Sequence, residues 1–207
     1  YIPDADILVA TAWQTAEFLA NLSAVKGVPF YFILHYESLW TRHKTRAVKT
    51  YDLPMKKLVL SNWLKDTLKK NHGQNADVFV TPVDQDMFFC SEKKWNLTRR
   101  VCMLHHDYGW KGYEDGIKAV KEVIAQGYDL QLVVFGEKLE DPQQLFDAAG
   151  FDFEYHYRPA RERLRKIYTS CDIFLCPSWY EGLGMTAMEA MACRCSLVTT
   201  NTGGCLE

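Results

Sequence analysis

The sequence predicts an α/β protein with two parallel-sheet units, and three observations carry that prediction. Short continuous apolar runs, such as Val28–Leu34 (VPFYFIL) and Leu130–Phe135 (LQLVVF), read as strands buried on both faces. Each run is followed by a segment of helical character. The alternation breaks once, at the polar stretch Ser91–Arg100 (SEKKWNLTRR), and then restarts. The 207 residues are 48% hydrophobic and 24% charged, a folded composition long enough for two small domains.

In chain order, the first unit is expected to hold a strand at Asp6–Ala10, a helix at Thr15–Val25, and strands at Val28–Leu34 and Lys57–Leu60. A helix at Asn62–Lys70 and a strand at Val78–Thr81 complete it. The second unit is expected to open with a strand at Arg100–His105. A helix at Gly112–Gln126 follows, with Ile117, Val120 and Ile124 on one face. Strands at Leu130–Phe135, Asp152–Tyr157, Ile173–Cys176 and Ser196–Thr200 then alternate with helices at Asp141–Ala149, Arg161–Cys171 and Met185–Cys193. The junction is expected near Gln85–Leu97, which gives domains of residues 1–90 and 91–207. The chain opens at Tyr1 without Met and ends at Glu207 just after Gly203–Gly204, so both domains are expected to be incomplete.

The net charge of −2 gives no reason to expect nucleic acid as a partner. Seven cysteines, an odd number mostly inside apolar runs and with no CxxC, fit reduced buried thiols in a cytoplasmic protein. No apolar run reaches membrane-spanning length, and no signal peptide is visible. The run Thr41–Thr50 (TRHKTRAVKT) is basic and lacks acids. It reads first as a solvated helix face or loop. Its second reading is attraction to an anionic acceptor or to the inner face of a membrane. His105-His106-Asp107 lacks metal-ligand spacing, and Asp4-Ala5-Asp6 precedes an apolar run and reads as turn acids, so no metal is implied.

The richest chemistry lies in Ser178–Cys195 (SWYEGLGMTAMEAMACRC). Gly182-Leu183-Gly184-Met185-Thr186-Ala187 formally matches a dinucleotide fingerprint. That fingerprint needs a strand directly before the first glycine and an acid about 20 residues on. Pro177–Glu181 intervenes, and Thr202–Gly204 has no acid, so the cofactor reading is rejected. The glycines still let backbone approach a ligand, and a helix start still attracts phosphate. Glu189 sits among Met188, Ala190, Met191 and Ala192 in a helix apolar most of the way round. An unpaired carboxylate there costs several kcal/mol, so it needs a partner, either a structural cation or ligand hydroxyls.

Glu181-Gly182-Leu183-Gly184 with Glu189-Ala190-Met191-Ala192 resembles the paired-glutamate signature of retaining glycosyltransferases of the GT-B fold, family GT4. The lead-in Tyr168–Ser178, the follow-on Val198–Gly204, Trp110-Lys111-Gly112-Tyr113, Leu132–Gly136, Val28–His35 and Val59–Lys65 resemble further elements of that family, in family order. The resemblance implies two Rossmann-like domains and transfer of a sugar from a nucleotide-diphosphate donor to a glycan, lipid or small-molecule hydroxyl. Neither cofactor nor metal is required. It implies that Glu189 holds ribose hydroxyls and Glu181 contacts the transferred sugar. Gly182 and Gly184 make room for the diphosphate, and Gly184, Met185 and Thr186 offer it backbone amides. Lys111 neutralises the leaving phosphate, and His35 stands near the sugar. The chain departs from the family at His106, where an arginine is usual, so Arg158 or Arg161 is a candidate second cation. It departs again at Thr81-Pro82-Val83-Asp84, where the family carries Asn-Gly. An epimerase or phosphorylase of the same fold, or a non-catalytic nucleotide-binding or structural module, stays open as an alternative.

Overall fold

In the computed structural model, residues 2–137 and 142–207 are described. The chain forms two compact units. The first contains residues 1–81 together with Glu181–Leu183 and Gly203–Glu207; the second contains Pro82–Tyr180 and Gly184–Thr202.

The first unit has four strands, β1 (Ile7–Ala10), β2 (Val28–Ile33), β3 (Lys56–Val59) and β4 (Asp77–Val78), all parallel and paired in sequence order. Helices α1 (Trp13–Ala20), α2 (Lys44–Tyr51) and α3 (Asn62–His72) connect them. Helix α1 starts earlier than its apolar pattern suggests because Thr15 Oγ1 accepts the amides of Thr11 and Ala12, and Glu37 accepts that of Trp13. The basic run contributes α2, with Arg42, Lys44, Arg46 and Lys49 exposed and Ala47, Thr50 and Tyr51 buried. Arg46 pairs with Glu17, so part of this charge is internally compensated. Helix α3 is capped by Ser61 Oγ on the amide of Leu64 and ends at Gly73, whose left-handed φ of 65° suits glycine. In Asp4-Ala5-Asp6 the Asp4 carboxylate pairs with Lys26 at 2.6 Å, and the backbone carbonyl of Asp6 accepts the amide of Val28.

The second unit is a five-stranded parallel sheet of β5 (Arg99–His105), β6 (Leu130–Gly136), β7 (Glu154–Tyr157), β8 (Ile173–Cys176) and β9 (Ser196–Thr199). The spatial order is β7-β6-β5-β8-β9. Its helices are α4 (Tyr113–Ala125), α5 (Pro142–Ala149), α6 (Arg161–Ser170) and α7 (Met185–Ala192). Asp141, the expected first residue of α5, lies outside the described residues. Val101, Met103, Ile117, Val120, Leu132, Val134, Ala149 and Phe153 form one apolar core on the α4–α5 side of the sheet. Gly116 packs closely there: a Cβ would stand 2.2 Å from Met103 Sδ, so a larger residue would displace the Met103 side chain. All seven cysteines are free thiols. Among the described residues no helix is long and apolar enough to cross a membrane.

One buried carboxylate ties this sheet to its entry strand. Asp172, just before β8, accepts the amides of Arg100 and Asn96 and the side-chain amide of Asn96. Burial alone would raise its carboxyl; these donors and the Lys93 charge hold it below the ordinary value. Its stabilisation is therefore present above the ordinary aspartate range and is lost as pH falls through the depressed value. Asp172→Ala is expected to cost about 3 kcal/mol in urea unfolding, by stranding those donors. It should also flatten the acid limb of the stability profile. An unchanged midpoint removes the carboxylate from this role.

Candidate functional site

In the second unit the order of connection reverses at β5: the chain builds outward to β6 and β7 on one side and to β8 and β9 on the other. At such a switch point the loops leaving the two adjacent strands diverge, and ligands of open α/β sheets bind in the crevice at the strands' carboxyl ends. The loop after β5 carries His106 and Lys111; the loop after β8 begins Pro177-Ser178-Trp179.

These two loops interlock at backbone distance. Gly112 has a left-handed φ of 68°, and a Cβ there would sit 2.0 Å from the carbonyl oxygen of Pro177. Only glycine fits both conditions. The amide of Trp179 donates to the carbonyl of Trp110 at 2.7 Å, and its indole Nε1 donates to Asp115 at 2.9 Å. From the β9 side, Thr202 Oγ1 donates to the carbonyl of Trp179, and Thr200 Oγ1 donates to that of Ser178.

His106 lies in a row of aromatic rings. It stacks on Tyr108 at 4.4 Å between ring centroids, and Tyr108 stacks on Trp110 at 5.8 Å. The Lys111 ammonium lies 4.4 Å from the centroid of the Trp110 ring. Nδ1 of His106 accepts the amide of Tyr108 at 3.1 Å, so the neutral ring carries its proton on Nε2. The residue in the usual arginine position is therefore a single oriented N–H donor rather than a five-donor fork. Of the two candidate replacement cations, Arg158 follows β7 and stands 4.0 Å from Glu137, and Arg161 opens α6, stands 4.0 Å from Asp84, and its charge also reaches Glu189.

Glu189 is half-buried on α7. Burial raises its carboxyl above the ordinary value, while the Arg161 charge and the Tyr168 hydroxyl pull the other way and do not fully compensate. The partner demanded by the sequence is thus first the charge of Arg161 at the head of α6, and it compensates only in part. At the other end of α7, Gly184 is the N-cap with a left-handed φ of 81°, and it offers no side-chain cap. The amides of Met185 and Thr186 at the first two helical positions have no acceptor within the helix, and they carry the positive end of its dipole.

Three predicted site residues, His35, Glu181 and Gly182, belong to the first unit. His35 follows β2, and its Nδ1 accepts the indole N–H of Trp40 at 3.2 Å, which again leaves the ring proton on Nε2. Gly182 packs against the same strand end: a Cβ would stand 2.1 Å from the carbonyl oxygen of Leu34. Glu181, 6% exposed, is held through its backbone, the carbonyl accepting the amide of Gly204 at 3.1 Å. A Cβ on Gly203 would meet that same carbonyl at 2.0 Å. The structure therefore brings Glu181 and Gly182 to the strand end that bears His35. It brings His106 and Lys111 to the switch point in the second unit, and it places Met185, Thr186 and Glu189 along α7. Sequence reasoning did not single out Tyr168, the Tyr108–Trp110 stack or Trp40. Trp110 beside the lysine was the available signal for the stack; Tyr168 is fixed only by helix packing. Among the described residues no group of three or more His, Cys, Asp or Glu side chains is arranged to hold a metal ion.

Two parallel α/β units, the second with its switch point under a Lys-Gly loop and a glycine-led helix, define a Rossmann-like protein of the GT-B kind. The sequence profile of the family described as glycosyl transferases group 1 matches residues 91–207, and the chain belongs to that family. It is 41% identical over 233 aligned positions to an uncharacterized glycosyltransferase of Methanocaldococcus jannaschii, covering 98% of this chain and 59% of that one. It is 38% identical over 98 residues to the N,N'-diacetylbacillosaminyl-diphospho-undecaprenol alpha-1,3-N-acetylgalactosaminyltransferase of Campylobacter jejuni, covering 44% of this chain and 25% of the relative. The chain thus spans well under two thirds of the length of these relatives. Among solved structures, Anabaena Alr3699/HepE in complex with UDP and glucose superposes with a TM-score of 0.77 at 17% identity, over 97% of this chain and 60% of that one.

Gly112→Ala is expected to lower stability by about 1–3 kcal/mol through backbone strain and the clash at Pro177. Thermal unfolding measures this; a midpoint equal to the parent's shows that the two loops do not need the glycine.

Proposed function

We propose that the chain carries the donor-binding and transfer machinery of a retaining glycosyltransferase that uses a nucleotide-diphosphate sugar and no metal. The observation that supports this best is the switch point. There a lysine, an oriented histidine N–H and a bare helix start share the carboxyl ends of β5 and β8. That is the chemistry a diphosphate leaving group requires: a point positive charge and preorganised donors aimed at charge that develops as the glycosidic bond breaks. The solved relative bound to UDP and glucose supports the same donor class.

In this reading Lys111 and the amides of Met185 and Thr186 hold the diphosphate, and His106 Nε2–H takes the position of the usual arginine. Glu189, whose carboxylate lacks full compensation inside the protein, accepts hydrogen bonds from the ribose hydroxyls. Glu181 and His35 address the transferred sugar, the histidine through Nε2–H. The departing phosphate assists the incoming acceptor hydroxyl on the same face, which retains configuration. The acceptor is a glycan, lipid or small-molecule hydroxyl. The exposed cations of α2 suit an anionic acceptor or contact with an anionic inner-membrane surface from the cytoplasmic side.

Glu189 supplies the test. Its raised carboxyl costs stability when ionised: a group raised in the fold stabilises below its unfolded value and loses that contribution as pH rises through the folded one. Glu189→Gln is therefore expected to unfold at a higher temperature at pH 7 while binding UDP roughly tenfold more weakly, since hydrogen bonds to a charged acceptor are lost. Parent binding should weaken as pH falls through the raised glutamate value, and the variant should lack that limb. Equal UDP affinity in calorimetry overturns the ribose role. Lys111→Ala should lower turnover of a UDP-sugar by about 100-fold with little change in unfolding temperature; an unchanged rate removes Lys111 from the mechanism.

A further inference from the structure

A cavity of about 610 Å³ opens at the end of the second unit opposite the switch point. Its walls come from the segment before β5 (Glu92, Lys94, Asn96), the first turns of β5 and β7 (Arg100, Glu154) and one side of α6 (Arg163, Lys166, Ser170). Arg100 and His105 are five residues apart along β5, roughly 16 Å at strand rise, so this is not the region that holds His106 and Lys111.

The charge of this cavity is unbalanced. Arg100 is committed, donating Nη2 to Glu154 at 2.6 Å and Nη1 to Gln131 at 2.9 Å. Its Nε is buried with no hydrogen-bond partner among the described residues. Glu154 is doubly engaged, since His156 also meets it at 2.6 Å. What is left is Lys94, Arg163 and Lys166, which make no ion pair with any described residue, against Glu92 alone. The surplus is two positive charges around an open volume. Cations that share one wall without counter-charges repel one another, and a dianion between them relieves that repulsion. A phosphomonoester carries about −1.5 to −2 at neutral pH and three strong acceptor oxygens, which matches two to three cationic donors. The volume leaves room for an organic body beyond the phosphoryl group.

We infer that this cavity is a second anion site, for a phosphomonoester, clamped by Lys94, Arg163 and Lys166. The inference does not depend on the donor assignment. Arg163 and Lys166 lie on the same helix as Arg161, whose charge acts on Glu189.

The test is calorimetric titration of the parent with inorganic phosphate, glycerol 3-phosphate and glycerol, and sedimentation with vesicles of phosphatidic acid in phosphatidylcholine. Glycerol 3-phosphate is expected to bind with a sub-millimolar constant and glycerol not at all. Vesicle binding without binding of the soluble ester assigns the phosphomonoester to lipid; the reverse assigns it to a soluble metabolite. The double variant Arg163→Glu/Lys166→Glu changes exposed side chains and is expected to weaken binding at least tenfold, whereas Lys111→Ala leaves it intact. Should the double variant unfold, Lys94→Glu in the connecting segment serves instead and is expected to weaken binding about threefold. No binding of any phosphate probe, or equal binding in the folded charge-reversed variants, overturns the inference. Loss in Lys111→Ala alone reassigns the phosphate to the switch point and overturns it equally.

Discussion

Two loops leaving adjacent strands have to pass each other within the width of a backbone, and the second unit is arranged around that requirement. Gly112 meets it: it lies where a Cβ would fall 2.0 Å from the carbonyl of Pro177, at a φ that other residues reach only with strain. Because the contact is backbone to backbone, it has little freedom to relax. Lys111, one residue before Gly112, inherits a fixed position, as does Trp179, two residues after Pro177. The hydrogen bonds from Trp179 to Trp110 and Asp115 lock the same crossing, and the threonines after β9 brace it from the far side. Rigid support of this kind is what a charge-stabilising site needs, since donors must be in place before charge develops.

The electrostatics follow the same logic at α7. A carboxylate on a mostly apolar helix is a cost to folding unless something answers it. Arg161 answers it in part, and its proton affinity stays raised. A residue chosen for stability alone would be either fully paired or replaced by an amide. Incomplete pairing of a half-buried carboxylate is the pattern expected of a group whose remaining partner is a ligand, the role proposed for Glu189.

Much of this was legible in the sequence, for physical reasons that differ from residue to residue. Ile173–Cys176 was read to the residue because a strand buried on both faces shows as an unbroken apolar run between polar neighbours. The Lys111-Gly112 segment was legible only through its family resemblance, and Glu181–Gly184 also because glycines before a helix let backbone approach a ligand. Boundaries were less legible. Helix α1 begins at Trp13 on the strength of Glu37, a residue 24 positions away that no local window contains. Strand β4 is only Asp77–Val78, shorter than its apolar run, and Phe79 and Val80 remain exposed. At the site, the consequence of His106 could not be read from composition. Its ring orientation comes from the Tyr108 amide and from a stack of three aromatic residues that alternate in sequence and meet only after the loop folds. Tyr168 as the neighbour of Glu189 depends on how α6 packs on α7, which periodicity does not specify.

If, as proposed, the carboxyl ends of β5 and β8 receive a nucleoside diphosphate, the bound nucleotide is found there. The most direct measurement is a crystal structure of the protein with UDP. Diphosphate oxygens are expected within hydrogen-bond reach of Lys111 Nζ and the amides of Met185 and Thr186, with the ribose hydroxyls on Glu189. A nucleotide seated elsewhere, with Lys111 and Glu189 both untouched, contradicts it.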